Sequence, residues 1–576
     1  MDTPASAESA WLDRFFASYY RHRPVNATFV GVHDHDHRLP DATGSGLGDA
    51  LAEVESLLAS SDGLAGAGPT DGPVGSGSAR RPGAAAEALD VRLARGFLEA
   101  QRWEYTGAHV HRGNPAHYTG EAVFGVLSLF LNHGGSADHR IDAAVRRLDA
   151  VAAYLAEARD RVRRAPPEWT RRAMRECQGA LEFCGSGVDA LVADLGPGAS
   201  DLRGAADRAG TAFARHLAWL ESDLLARAVP DVAAGEEALD LYLRGGHFLT
   251  ESADDLVAYA RQEMASARSW AEAHAADVDA DTPEDALARL ADHHPSPEGY
   301  LDAYRESWDD VRALAERKDL LTWPDFPIRY VPRPVWSRAA APYLYFLFYR
   351  SPAAVNRPPV HDYLVLPVDP DAPADEREAL LRATNDSVIK LNHVVHHGGI
   401  GHHVQNWHAF RAASRVGRMA AVDTAARIAM TCGGTMAEGW ACYATDLIGE
   451  MGGLTPLEAY AERHGRVRMA ARAVVDVEMH RGRMSLDQAA AFYREHAGMS
   501  EAAARSEAVK NSMFPGGAVM YLTGTDTIHR LRRDLSARWG SAFDLRAFHD
   551  TFLSYGSVPV TLVAADMTRT WTPDAV

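Results

Sequence analysis

Cysteine is scarce in this chain. Four residues among 576, Cys177, Cys184, Cys432 and Cys442, are too few and too scattered for a disulfide framework. Long apolar runs are lacking too: the longest stretches, such as Ala341 to Tyr349, are too short to span a bilayer. The N-terminus shows no basic segment followed by an apolar run, so no signal peptide is expected. Positive charge is in deficit, with 59 Lys and Arg against 78 Asp and Glu and a net charge of −19. That balance argues against a nucleic-acid backbone or an anionic membrane as main partner, while leaving room for a local basic pocket that holds an anionic substrate. These absences predict a cytoplasmic protein with no nucleic acid and no membrane as partner. They leave the oligomeric state open.

The remainder is ordinary globular composition, 47% hydrophobic and 24% charged, in a chain long enough to bury a large core. Residues from about 60 to 87 are rich in Gly, Pro, Ala and Ser and lack the apolar side chains that offset ordering entropy, so they read as a flexible loop. No internal repeat is visible. Most other segments carry helical periodicity. Ile141, Val145, Leu148, Val151 and Leu155 fall at spacings of three and four within 141–164, and 205–228 and 253–275 follow the same style. Cys177 and Cys184, seven apart, fall on one helix face, which suits a core role. Thr282 and Ser500, each followed by acids, are helix starts. Residues 322–368 differ: Ile328-Arg-Tyr-Val-Pro, the aromatic run from Pro342 to Tyr349, and Tyr363-Leu-Val-Leu-Pro predict a small sheet. The expectation is a mainly α protein. It divides into a helical region 1–320 and a region 321–576 with the sheet and the chemistry, joined in one integrated fold.

The chemistry-bearing stretch is His396-His397-Gly-Gly-Ile-Gly-His402-His403, with His393 before it and His408 after it. Neutral imidazole is the commonest protein ligand for zinc, and clustered histidines with a downstream carboxylate form a metal-site pattern. Glu438 is the carboxylate candidate. A His-Glu-x-x-His motif, with ligands one turn apart and the base beside the first, is absent: His397 follows His396, and the next histidines come six and seven residues on. An unbroken helix would point His396 and His402 to different sides. Gly398, Gly399 and Gly401 permit a kink that turns His402 back toward the metal. His402 and His403 point about 100° apart on a helix, so one of them ligates, and the glycine before His402 favours it.

These residues resemble the bacterial domain-of-unknown-function 885 family, relatives of the helical gluzincin-like metallopeptidases. The hallmark His-Glu-x-x-Pro-Gly-His-His-x-Gln aligns with His396 to Gln405, and Glu-Gly-Trp-Ala-x-Tyr with Glu438 to Tyr443. Further similarity covers Pro24 to Gly31, Arg472 to His480, Pro515 to Tyr521 and Phe543 to Asp550. The resemblance implies a large helical fold with a deep cleft. It also implies a divalent metal, zinc first with iron or manganese as alternatives, held by His396, His402 and Glu438, with His403 competing for the second place. It suggests Tyr521 as an oxyanion-stabilising phenol, and Asp476 and His480 as a pair that orients a ligand. Departures from the family pattern are His397 for Glu, Ile400 for Pro, Gly517 for Gln, and Glu478 for Gly, which adds a further carboxylate near that pair. With His397 in the base position, the expected activity is hydrolysis of small amide or peptide-like substrates. The alternatives are a non-hydrolytic metalloenzyme, such as a lyase or an oxygen-using iron or manganese enzyme, and a catalytically silent metal-binding protein.

Overall fold

A computed structural model describes residues 6–64, 84–131, 135–344, 353–419 and 429–573. Helices dominate, and the single sheet among the described residues has two strands. None of the helices described is long and apolar enough to cross a membrane. The core of the expected flexible loop lies outside the described residues. Its two ends are helical instead, because the apolar faces of Gly44–Ser61 and Ala84–Thr106 extend into it.

The chain forms two compact units, and their boundary is not at 320. One unit is built on Met1–Val232 and Arg333–Pro358, the other on Ala233–Pro332, Pro359–Ala421 and Ile428–Val576. Residues 233–320 join the C-terminal region because their helices pack there, a tertiary preference that periodicity does not encode.

In the first unit, helix Ala137–Arg161 places Ile141, Leu148, Val151 and Leu155 in the core, as their spacing predicts. It starts where the Ser136 side chain accepts from the backbone N–H of His139. The same helix buries Arg147 completely. That guanidinium donates to the carbonyls of Arg38, Gly125 and Pro24 and to the Thr28 hydroxyl, tying several segments together. Cys177 and Cys184 are both buried and free, on Pro167–Glu182 and the widened turn Phe183–Gly187 that follows it. The helix expected over 205–228 begins at Asp201 and ends at Trp219, and tight or widened turns continue it to Arg227.

The second unit holds α1 (Ala253–His274), α2 (Tyr300–Arg317), β1 (Ile328–Pro332), β2 (His361–Val365), α3 (Gly434–Glu450), α4 (Pro456–His480), α5 (Glu501–Met513) and α6 (Val519–Trp539). α1 and α4 pack on one another, and each buries small residues, Ala260, Ala267 and Ala271 on α1 and Ala470, Ala471 and Ala473 on α4. The Tyr460 hydroxyl closes the pair on the Ala271 carbonyl at 3.0 Å. Thr282 and Ser500 cap their helices as expected. β1 and β2 pair in parallel, Tyr330 opposite Tyr363. The third expected strand does not appear where it is described: Ala341–Tyr343 is a single tight turn, shaped by Pro342, and 345–352 lie outside the described residues.

Candidate metal centre

The histidine segment is a helix broken on purpose. From Ile389 to His396 it is wound wide, with the N–H of His397 reaching the Asn392 carbonyl at 3.0 Å and that of Gly398 reaching His393 at 3.1 Å. Such insertions occur frequently at functional sites. The break follows at Gly398 (φ −94°, ψ −135°) and Gly401 (φ −72°, ψ −119°), after which Val404–Ala409 is regular again. Gly401 is required by close approach, since a Cβ there would lie 1.9 Å from the His396 carbonyl oxygen. From α3, the Trp440 indole N–H pins the kink by donating to the Ile400 carbonyl at 2.9 Å.

The kink brings His396 and His402 together. Their ring centroids are 4.9 Å apart and nearly perpendicular. Glu438, on α3, sits between them: its Oε2 is 3.1 Å from His396 Nε2 and 3.8 Å from His402 Nε2. Two ligands around zinc at ordinary bond lengths stand roughly 3.4 Å apart in a tetrahedron. Those two distances straddle that edge, so His396, His402 and Glu438 fit a divalent ion with small rotations. His397 belongs to the same constellation, because donor atoms of His396, His397 and His402 all lie within 4.8 Å of one another. Burial opposes the charged form of Glu438, yet the His396 hydrogen bond and the neighbouring imidazoles and Lys510 hold its carboxyl below the usual range. Burial keeps His402 neutral down to about 4, and His397 is pushed well below the ordinary imidazole value by burial and by its histidine and lysine neighbours. Neutral imidazoles and an ionised carboxylate are the forms that ligate a metal.

α3 is shaped to deliver this carboxylate. A Cβ on Gly439 would fall 2.6 Å from Gly524 Cα of α6, so the glycine pair lets α3 and α6 touch backbone to backbone. Cys442, one turn past Glu438, places Sγ 3.8 Å from His396 Nδ1 and so backs the ring on its far side. Its thiol is raised by burial. His393 is held by the Tyr363 hydroxyl of β2 at 2.7 Å and packs on Tyr304 of α2, so the small sheet supports the segment that carries the cluster.

Other candidates are placed elsewhere. His403 points away: its Nε2 meets the Phe326 carbonyl at 2.7 Å and its ring stacks on Phe326. Asp476 and His480 are fully buried and lie 3.7 Å apart, as their spacing predicts, and both also engage backbone. Asp476 accepts from the N–H groups of Gly516 (2.9 Å), Ala518 (2.6 Å) and Val519 (3.1 Å) at the start of α6. His480 Nε2 meets the Asn511 carbonyl at 3.0 Å, while its Nδ1 accepts from Ala234. The physical reason is helix-end chemistry: an entering helix presents unsatisfied N–H groups, and a buried carboxylate answers them. Glu478 turns toward Arg483, 4.0 Å away. Tyr521 packs with Cys442 and Met520, and the Arg472 guanidinium lies 4.7 Å over its ring. Sequence reasoning misses Cys442, which is findable, since a residue four past Glu438 on one helix shares its face.

A kinked helix that converges two histidines on a glutamate from a second helix defines a helical protein with a candidate histidine–carboxylate metal centre. Residues 24–567 match the family described as bacterial proteins of unknown function, DUF885, and the chain belongs to that family. No curated protein matches it. Among solved structures it is similar to a candidate lipoprotein of unknown function from Shewanella oneidensis, with TM-score 0.74 and 20% identity over 98% of this chain and 100% of that one. It is equally similar in fold to a candidate lipoprotein from Colwellia psychrerythraea, with TM-score 0.74 and 16% identity over 98% and 99% of the two chains. At these identities the likeness is one of fold.

Proposed function

We propose that the protein is a metal-dependent hydrolase of small amide or peptide-like substrates, with a divalent metal, zinc first, held by His396, His402 and Glu438. The observation that supports it best is the approach of Glu438 Oε2 to both imidazoles, at 3.1 and 3.8 Å, across a kink that no regular helix would make. When bound, the metal supplies Lewis-acid chemistry, polarising a carbonyl and acidifying water. Glu438 holds negative charge at the centre. His397, neutral and directly after a ligand, accepts the proton of the attacking water. Tyr521 packs in one cluster with Cys442, whose sulfur is 3.8 Å from His396 Nδ1.

Metal analysis of purified protein, followed by a library of short peptides and acyl amides, tests the reading. Zinc at one equivalent with amide cleavage supports it; a protein that takes up no divalent ion overturns it. A second reading draws on the 4.8 Å grouping of three imidazoles. With His397 as an added ligand, the site suits iron or manganese in a non-hydrolytic reaction, and that metal with no amide turnover would favour it. Retained metal with no turnover of any substrate would leave a silent binding protein. On location, the solved relatives described as candidate lipoproteins set a membrane-anchored alternative against the cytoplasmic expectation. Fractionation of a native host decides between them.

A further inference from the structure

One helix holds both edges of the His396 ring. From α3, the Glu438 carboxylate meets Nε2 at 3.1 Å. One turn later Cys442 presents its sulfur to Nδ1 at 3.8 Å, a long hydrogen bond to a large atom. Among the described residues no other group hydrogen-bonds to either nitrogen. The sulfur is buried in a cluster with Met520 and Tyr521, with Met469 packed against it.

Other buried histidines of this unit are held differently. His247, His403 and His480 through Nε2, and His549 through Nδ1, each meet a backbone carbonyl at 2.6–3.0 Å. A carbonyl only accepts, so it fixes the proton of a neutral ring on the nitrogen that faces it. A thiol is both a weak donor and a weak acceptor, and it leaves the choice open. With the ring proton on Nε2, His396 donates to Glu438 Oε2, and Nδ1 accepts the Cys442 S–H. With the proton on Nδ1, the ring donates to the sulfur. Nε2 then turns a lone pair toward the point it shares with His402 and Glu438. Imidazole ligates a metal in that second state, since it does so through a lone pair.

We propose that Cys442 is a positioning residue for the metal centre: its thiol serves either tautomer of His396 and holds the ring once Nε2 is given to the metal. A histidine ligand ordinarily donates its second N–H to a carboxylate, a carbonyl or water. The thiol fills that place more weakly, without committing the ring beforehand. The assignment rests on His396, His402 and Glu438 as ligands, and does not depend on which reaction the centre performs.

The test is the zinc affinity of the full-length, metal-stripped protein, read by competition with a chromophoric chelator, for the parent, Cys442→Ala and Cys442→Ser. Partners of metal-bound histidines are worth 10–100-fold in affinity, and a thiol is a weak one, so Cys442→Ala should lose about tenfold. Serine also donates and accepts, so Cys442→Ser should return to within about threefold of the parent. Metal-free melting temperatures, taken alongside, separate packing from positioning. Unchanged affinity in Cys442→Ala, with or without a lower melting temperature, overturns the proposal and leaves Cys442 as packing alone. A serine variant as weak as the alanine variant overturns it too, because loss of shape then explains both. A parent that takes up no zinc overturns the ligand assignment itself, and the proposal with it, a result distinct from the other two.

Discussion

Two short segments of the second unit carry closely spaced polar residues on helices, and they do opposite things. Between Asp476 and His480 the polar atoms are spent on backbone, three N–H groups on one side and a carbonyl and an N–H on the other. Between His396 and His402 the side chains converge on one another and on Glu438. Both segments are rich in titratable groups, His396 and His397 part-exposed and Asp476 and His480 fully buried, so residue type does not separate them. The destination of the polar atoms does. Groups spent on backbone hold the fold, and groups aimed at a shared point form a site.

The sharpest way to break this comparison is Glu438→Ala. Metal affinity should fall by more than about 100-fold, since losing even the outer partners of a metal ligand costs 10–100-fold. Full metal content by mass spectrometry would remove Glu438 from the ligand set. Asp476→Ala should behave inversely. It strands three buried N–H groups and should cost about 3–5 kcal/mol of unfolding free energy, read by denaturant titration, with metal stoichiometry per folded molecule intact.

His402 and His403 sharpen the contrast within one dipeptide. His402→Ala should lose metal; His403→Ala should keep it and lose about 1–3 kcal/mol of stability through its bond to Phe326. Loss of metal from the His403 variant alone would reverse the assignment.

The backbone-tied histidines also set a pH dependence. His247 meets the Gly516 carbonyl at 2.8 Å and His549 the Leu320 carbonyl at 2.6 Å, and burial lowers His247 and His480 to about 4 and His549 to about 3, whereas unfolded imidazoles titrate near 6.5. Between those values the unfolded chain binds more protons, so stability falls as pH drops from about 6.5 toward 4 and is level above. Melting temperatures taken from pH 7.5 to 4.5 check this; a flat profile would contradict it. The mildest change is His397→Glu, which should preserve or raise cleavage of simple peptides if His397 is the base. A shift in metal preference with loss of the native reaction would mark it as a ligand instead.

Much was legible in the chain itself. Helical periodicity, the capping residues, β1 and β2, and the histidine cluster with its glycines all follow from local chemistry: side-chain spacing, helix-end hydrogen bonding, and the backbone freedom of glycine. The sequence by itself also singled out His396, His402 and Glu438, because ligand types at unusual spacing signal a shared target even before its geometry is known.

Tertiary structure alone decided the rest. Asp476 has the composition of a ligand partner and becomes the anchor of α6, since which N–H groups surround a carboxylate depends on helices 40 or more residues away in sequence. Residues 233–320 join the C-terminal unit for the same reason: α1 finds its small-residue partner in α4. Charge and residue type are local properties, whereas burial and pairing are sums over everything packed nearby.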